Sequence, residues 1–205
     1  MQLADVNGVN LVHFLKKVQG KSARLVIDQE FLEVLFDAGL KEIVFPVESA
    51  SQRVLDRYAT GKLDHTTLDV VELVRMANRV GMQTPINMMI GFPDETEAEM
   101  RSTIELGKRL VDAGAPYCSL YIPIPFPGST LFDLALSNGH LSPDFNPDDF
   151  NWRRAVMKNT TVSPERIEEL QAWGWRYANT EAYLRARLEK SIGTRWKSGE
   201  DEKVE

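Results

Sequence analysis

Apolar positions along this chain switch between two periods, and the switches mark its elements. Over 29–38, Phe31, Leu32, Leu35 and Phe36 recur at helical spacing after Asp28, an N-cap type, and Gly39 ends the pattern. A short β-rich run at 42–47 follows. Ser51 opens a helix through Tyr58, with Gly61 as its stop. Asp64 is read as the cap of a helix over 66–80, in which Leu68, Val71, Leu73, Val74, Ala77 and Val80 share one face before Gly81. A strand at 83–90 precedes Thr96 and Glu99, which fit a capping box for a helix reaching Ala113. A strand at 116–122, a Pro-rich corner and a helix at 129–138 complete this part. With a further strand expected at 8–14, the order is β-α-β-α-α-β-α-β-α. Such alternation predicts a parallel sheet with helical crossovers.

From His140 to Trp152 the chain turns polar and acidic and reads as a surface loop. Ser163-Pro164-Glu165 then starts one long helix expected over 163–190, with Ile167, Leu170, Tyr177, Leu184 and Leu188 near one seam. The four tryptophans, all in the C-terminal third, are read as packing for that helix. The charged end K-S-G-E-D-E-K-V-E predicts disorder. The expected organisation is 1–140 as the α/β unit, 141–190 as a loop and helix extension, and 191–205 as a disordered tail.

Three apolar runs end in polar or Gly/Pro corners: I-V-F-P-V-E-S at 43–49, T-P-I-N-M-M-I-G-F-P-D-E-T at 84–96, and Y-C-S-L-Y-I-P-I-P-F-P-G-S-T at 117–130. Ligands of wound α/β proteins bind at the carboxyl ends of the strands, so these corners point to a site. Burying the Glu48 carboxylate unpaired is expensive, which suits binding of an ammonium or a ribose hydroxyl. Equally, Glu48, Ser49 and Ser51 suit an N-cap cluster for the next helix. Asn87, inside an apolar run, either faces the ligand-bearing side of the sheet or bonds a neighbouring loop. The Asp94 and Glu95 carboxylates sit at the positive end of a helix dipole and read as structural.

Composition narrows the classes. A net charge of −6 argues against a nucleic-acid partner, and no apolar stretch suits a membrane span. The N-terminus lacks a signal-peptide pattern, and a cytoplasmic location is expected. His13, His65 and His140 are dispersed, and Cys118 has no partner cysteine, so neither a zinc site nor a Cys–His nucleophile is expected. The Gly128 corner lacks the lysine and spacing of a phosphate loop.

V-E-S-A-S-Q-R-V-L-D, N-M-M-I-G-F-P-D-E-T-E-A-E-M-R-S-T-I and P-I-P-F-P-G-S-T-L-F-D-L-A, in this order and spacing, resemble the second half of the radical S-adenosylmethionine (SAM) barrel. The flavour is that of the cobalamin-binding class related to the anaerobic magnesium-protoporphyrin cyclase. T-T-V-S-P-E-R-I-E-E-L-Q-A-W-G-W-R-Y-A-N-T is similar to the tails of those proteins. The resemblance implies half of a partial parallel (βα) barrel, TIM-like, with a C-terminal helical extension. It also implies SAM and a [4Fe–4S] cluster as cofactors, with cobalamin in the full assembly. Glu48, together with Ser49, stands where relatives contact SAM. Asn87 stands where they often carry an aspartate for the SAM ribose, and Lys62 near the SAM carboxylate.

The same resemblance sets a limit. The family holds its cluster on C-x-x-x-C-x-x-C, and this sequence has a single cysteine. The expectation is therefore the C-terminal part of a radical SAM enzyme, inactive alone. It would be completed by an N-terminal half or a separate three-cysteine chain, for methyl transfer, cyclisation or other C–H chemistry. The alternative is a non-catalytic half-barrel that binds or self-associates through an exposed sheet edge.

Overall fold

The computed structural model describes residues 28–59 and 63–195, with side chains to Glu189. The expected strand at 8–14, Lys62 and residues 196–205 lie outside the described residues. Along the chain run α1 (Gln29–Asp37), β1 (Phe45–Glu48), α2 (Gln52–Tyr58), α3 (Val70–Val80) and β2 (Ile86–Met89). Then come α4 (Glu97–Asp112), β3 (Cys118–Tyr121), α5 (Thr130–Ser137), a 3-10 turn (Pro147–Asp149), α6 (Pro164–Ala178) and α7 (Glu181–Arg195).

The strands pair in parallel in the order β1-β2-β3, which is also their chain order. A parallel strand needs a crossover before it can return, and here α2–α3 and α4 supply the crossovers. The sheet is therefore wound one way, as consecutive units of a (βα) barrel are, and the expected α/β partial-barrel architecture is the one observed.

Helix caps follow the sequence closely. Thr96 and Glu99 form the reciprocal capping box of α4, and Asp28, Ser51, Ser129 and Ser163 cap α1, α2, α5 and α6. Asp69 rather than Asp64 caps α3. Asp64 is spent on a local turn, accepting from the Thr66 N–H and hydroxyl, so the helix starts four residues later than the periodicity suggests. The single helix expected over 163–190 is two helices. Asn179 leaves helical geometry to serve the sheet edge, and Thr180 starts α7, which reaches Arg195. Residues 191–195 are thus helical rather than part of a tail.

The core lies between the sheet and one layer of helices. Strand residues alternate faces. Phe45, Val47, Ile86, Met88, Cys118 and Leu120 are buried with Leu73, Val74, Ile104, Leu110, Ile167 and Leu170 from the helices. Close approach needs small residues. A Cβ on Gly107 of α4 would stand 2.9 Å from Cys118 Sγ, and one on Gly174 of α6 would meet Ile104 at 2.8 Å.

The outer edge of β3 is closed. Asn179 accepts from the Cys118 N–H and donates to the Cys118 carbonyl, both at 2.7 Å, as a neighbouring strand would. Gln171 donates to the Leu120 carbonyl at 2.8 Å, and the Ile122 N–H donates to the Trp152 carbonyl at 2.9 Å. At the other edge, Pro46 of β1 has no N–H to offer, the usual property of an edge position.

Candidate functional site

The face of the sheet away from the helices carries Pro46, Asn87 and Ser119 in one register row, with Met89 and Tyr121 in the next. All five are only half-buried. Among the described residues, the Asn87 carboxamide has no hydrogen-bond partner. Of its two sequence readings, the open sheet face is therefore the observed one.

The carboxyl ends of β1 and β2 are built differently from one another. The β1 ladder shifts between Pro46 and Glu48, and Glu48 has φ 64°. A left-handed backbone is costly for a side chain with a Cβ, and bulges of this kind re-aim side chains at strand ends. Glu48 is buried there. Ser49, fully buried, turns toward the helices. Its hydroxyl meets Thr103 Oγ1 at 3.2 Å and accepts from the Ser51 N–H at 3.0 Å, while its carbonyl meets His65 Nε2 at 2.8 Å. The N-cap proper is Ser51, whose hydroxyl also donates to Glu99 at 2.8 Å.

At the β2 corner, Glu95 is 0 % exposed. Its Oε2 accepts from the Gly91 N–H at 2.7 Å and the Phe92 N–H at 3.1 Å, which closes the turn into α4. Oε1 has no hydrogen-bond partner among the described residues. Burial pushes the carboxyl up to about 7, against the two backbone N–H bonds that lower it. The folded state thus holds this proton more tightly than the unfolded chain, whose value is near 4.5. Stability from this group is full below pH 4.5 and is lost as pH rises to about 7, on the order of 3 kcal/mol in all. Glu95→Gln is expected to flatten that pH dependence in urea titrations. Parallel profiles for the two proteins would refute it.

Arg53 ties the two corners together. It grips Glu99 at 2.9 and 2.7 Å, the Asp94 carboxylate at 2.8 Å and the Asp94 carbonyl at 3.0 Å. Tyr58 donates to Asp94 at 2.6 Å and stacks on Phe92, ring centroids 4.5 Å apart. The side-chain bond from Arg53 is the largest cause holding Glu99 well below the usual carboxylate range. Asp94 and Glu99 are structural, as the sequence suggests. Arg53 and Tyr58 escape a reading of the sequence because they lie on the polar side of α2, and only the fold brings Asp94 to them.

The structure therefore brings Glu48 and Ser49 to the carboxyl end of β1 and Asn87 to the open face of the same sheet, while Lys62 lies outside the described residues. The tryptophans depart from their expected role. Trp152 is 50 % exposed, Trp173 41 % and Trp175 40 %, so none of these three is buried packing for the helix, and Trp196 lies outside the described residues. Trp152 instead stands beside Tyr121 and Phe126, at 5.7 and 5.9 Å between ring centroids. Cys118 is 2 % exposed within the sheet–helix core, and burial pushes its thiol up to about 12. A protonated core thiol is no thiolate ligand. Among the described residues no cluster of His, Cys, Asp or Glu suits a metal ion, so these residues do not fit a [4Fe–4S] cluster. No described helix is long and apolar enough to cross a membrane.

A singly wound parallel α/β unit, open on one face at its strand ends, is the class of protein these features define. Residues 13–107 match the family described as the radical SAM superfamily. The chain is 29% identical over 166 residues to an uncharacterized methyltransferase of Pyrococcus horikoshii, covering 78% of this chain and 33% of that protein. It is 28% identical over 174 residues to the tRNA-2-methylthio-N(6)-dimethylallyladenosine synthase of Saccharophagus degradans, covering 81% and 33%. Among solved structures, coproporphyrinogen III oxidase of Escherichia coli aligns at TM-score 0.40 and 15% identity, over 84% of this chain and 30% of that one. The chain spans about a third of the length of these curated relatives.

Proposed function

We propose that this chain is the SAM-orienting part of a radical SAM enzyme, with methyl transfer as its favoured reaction class. The carrying observation is the unengaged Asn87 carboxamide on the open sheet face, beside the bulged Glu48 corner and inside the matched segment. A carboxamide offers two donors and an acceptor, which suits ribose hydroxyls. The Glu48 carboxylate suits the SAM ammonium, and Lys62 suits its carboxylate. Ser49 has spent its hydroxyl on Thr103 and Ser51, so it shapes the corner. SAM supplies a carbon-centred radical when an iron–sulfur cluster reduces it. The residues described here do not hold that cluster, and a three-cysteine polypeptide, joined to this chain or separate, supplies it. Such a partner extends the sheet from β1, because side-chain amides close the β3 edge. Cobalamin enters only with that assembly. The relative described as a methyltransferase supports the reaction class.

Calorimetric titration of SAM into the chain, paired with a three-cysteine radical SAM half, tests this. Glu48→Ala and Asn87→Leu are each expected to weaken SAM binding about tenfold, with little change in thermal midpoint. Unchanged affinity in both variants would sink the reading. It would favour a half-barrel that only binds or self-associates.

A further inference from the structure

Beside the closed edge of β3 lies a cavity of about 230 Å³. Its lining includes Tyr121, Asn151, Trp152, Arg153, Gln171 and Trp175. Three of these are aromatic, and they are held differently. Trp152 is fixed through its carbonyl by the Ile122 N–H and by its edge contacts with Tyr121 and Phe126. Half of its surface still remains exposed. Trp175 approaches from α6 and is 40 % exposed. Two indoles held on separate elements beside a cavity offer π-faces without the entropy cost of ordering a loop.

Of the charged and amide side chains in the lining, Arg153 is the uncommitted one. Arg153 is exposed, and its guanidinium makes no ion pair or hydrogen bond among the described residues, although Asp148 and Asp149 precede it in the same loop. The Asn151 side chain accepts from the Arg153 N–H at 2.9 Å and so fixes the backbone at the arginine. Cys118 N–H, both outward carbonyls and Ile122 N–H at the β3 edge are satisfied. The outward N–H of Leu120 is the one group between them without a described partner, and Leu120 lines the cavity. Size narrows the occupant further. The space takes one ring system with its substituents and is below the ~300–1,000 Å³ usual for larger organic ligands.

We infer that this cavity binds a planar heteroaromatic ring carrying an anionic group, stacked against Trp152 and Trp175 with the anion on Arg153. Stacking on aromatic side chains recognises any flat π-system. A free guanidinium beside indoles adds charge-assisted bonds to a carboxylate or phosphate. The cavity touches the open sheet face through Ser119 and Tyr121, so it is a substrate subsite next to the SAM region, and in that respect it rests on the reading above.

The test uses the full 205-residue chain carrying Trp173→Phe and Trp196→Phe, so that Trp152 and Trp175 report by fluorescence. Cytidine 5′-monophosphate is titrated, with cytidine and ribose 5-phosphate as controls. Saturable quenching by the nucleotide is expected, with weaker binding of cytidine and none of ribose 5-phosphate. Arg153→Met should weaken the nucleotide about tenfold and leave cytidine unchanged. Trp152→Leu should weaken both about tenfold. Circular dichroism checks that fold, and Arg153→Met, a surface change, decides the matter if Trp152→Leu unfolds. Absent quenching overturns the inference and makes the aromatic wall a surface covered by another polypeptide. Equal binding of ribose 5-phosphate, or an unaffected Arg153→Met variant, also overturns it. The two readings fail separately. Nucleotide binding in a chain whose SAM affinity ignores Glu48 and Asn87 sinks only the SAM reading. SAM affinity without nucleotide binding sinks only this one.

Discussion

Gly91→Ala is expected to cost about 3 kcal/mol or more of unfolding free energy in urea melts, a large share of a domain's stability. Two penalties combine. Gly91 has φ 101°, where a Cβ costs about 1–2 kcal/mol. The added methyl would also stand 2.6 Å from Ile167 Cγ2, and overpacking of this kind costs about 1–3 kcal/mol. A double-mutant cycle with Ile167→Ala separates them. In that background the clash is gone, and Gly91→Ala should cost only the backbone part. An equal cost in both backgrounds would refute the clash. The site is sensitive because the Gly91 N–H also holds Glu95, so a shifted turn displaces the end of β2 that carries Asn87.

Asn179→Leu is expected to be as damaging, by about 3–5 kcal/mol, and to add self-association. The substitution strips partners from the Cys118 N–H and carbonyl together, and each buried orphan costs about 1–3 kcal/mol. It also loses the 2.9 Å bond to the Trp175 carbonyl at the end of α6. The edge of β3 is then an open template for another chain. Sedimentation velocity should show concentration-dependent dimers in the variant that the parent lacks. Asn179→Asp provides the control, since it still accepts from Cys118 N–H and loses only the donated bonds. A monomeric and fully stable Asn179→Leu protein would show that the amide does not protect the edge.

Much of the local architecture was legible in the chain. The capping box at Thr96, the Ser-Pro-Glu start at 163–165 and the Gly81 stop each act within one helical turn, so their physics is complete in a short window. Asn87 and Glu48 stood out for a similar reason, as polar residues in runs that otherwise exclude water. Elements shaped by distant partners read less well. The break at Asn179 has no local cause, because the residue leaves the helix for Cys118, 61 positions away. Asp69 overtakes Asp64 because the Thr66 side chain captures the earlier carboxylate. The tryptophans spaced along 152–175 look like a packing seam until the fold sets Trp152 against Tyr121 on one side of α6 and Trp173 on Tyr177 at 5.1 Å on another.

The sequence by itself determined the class of the protein: alternating strands and capped helices, three polar corners at strand ends, and a single cysteine. Hydrophobic period, cap chemistry and residue count are properties of neighbours in the chain. Tertiary structure alone decided which face of the sheet is open, that Ser49 turns into the core, that Arg53 joins two corners, and that one sheet edge is closed by side-chain amides. Those outcomes depend on pairing groups tens of residues apart. Burial then sets what a group is worth: it raises the Glu95 carboxyl and keeps the Cys118 thiol protonated.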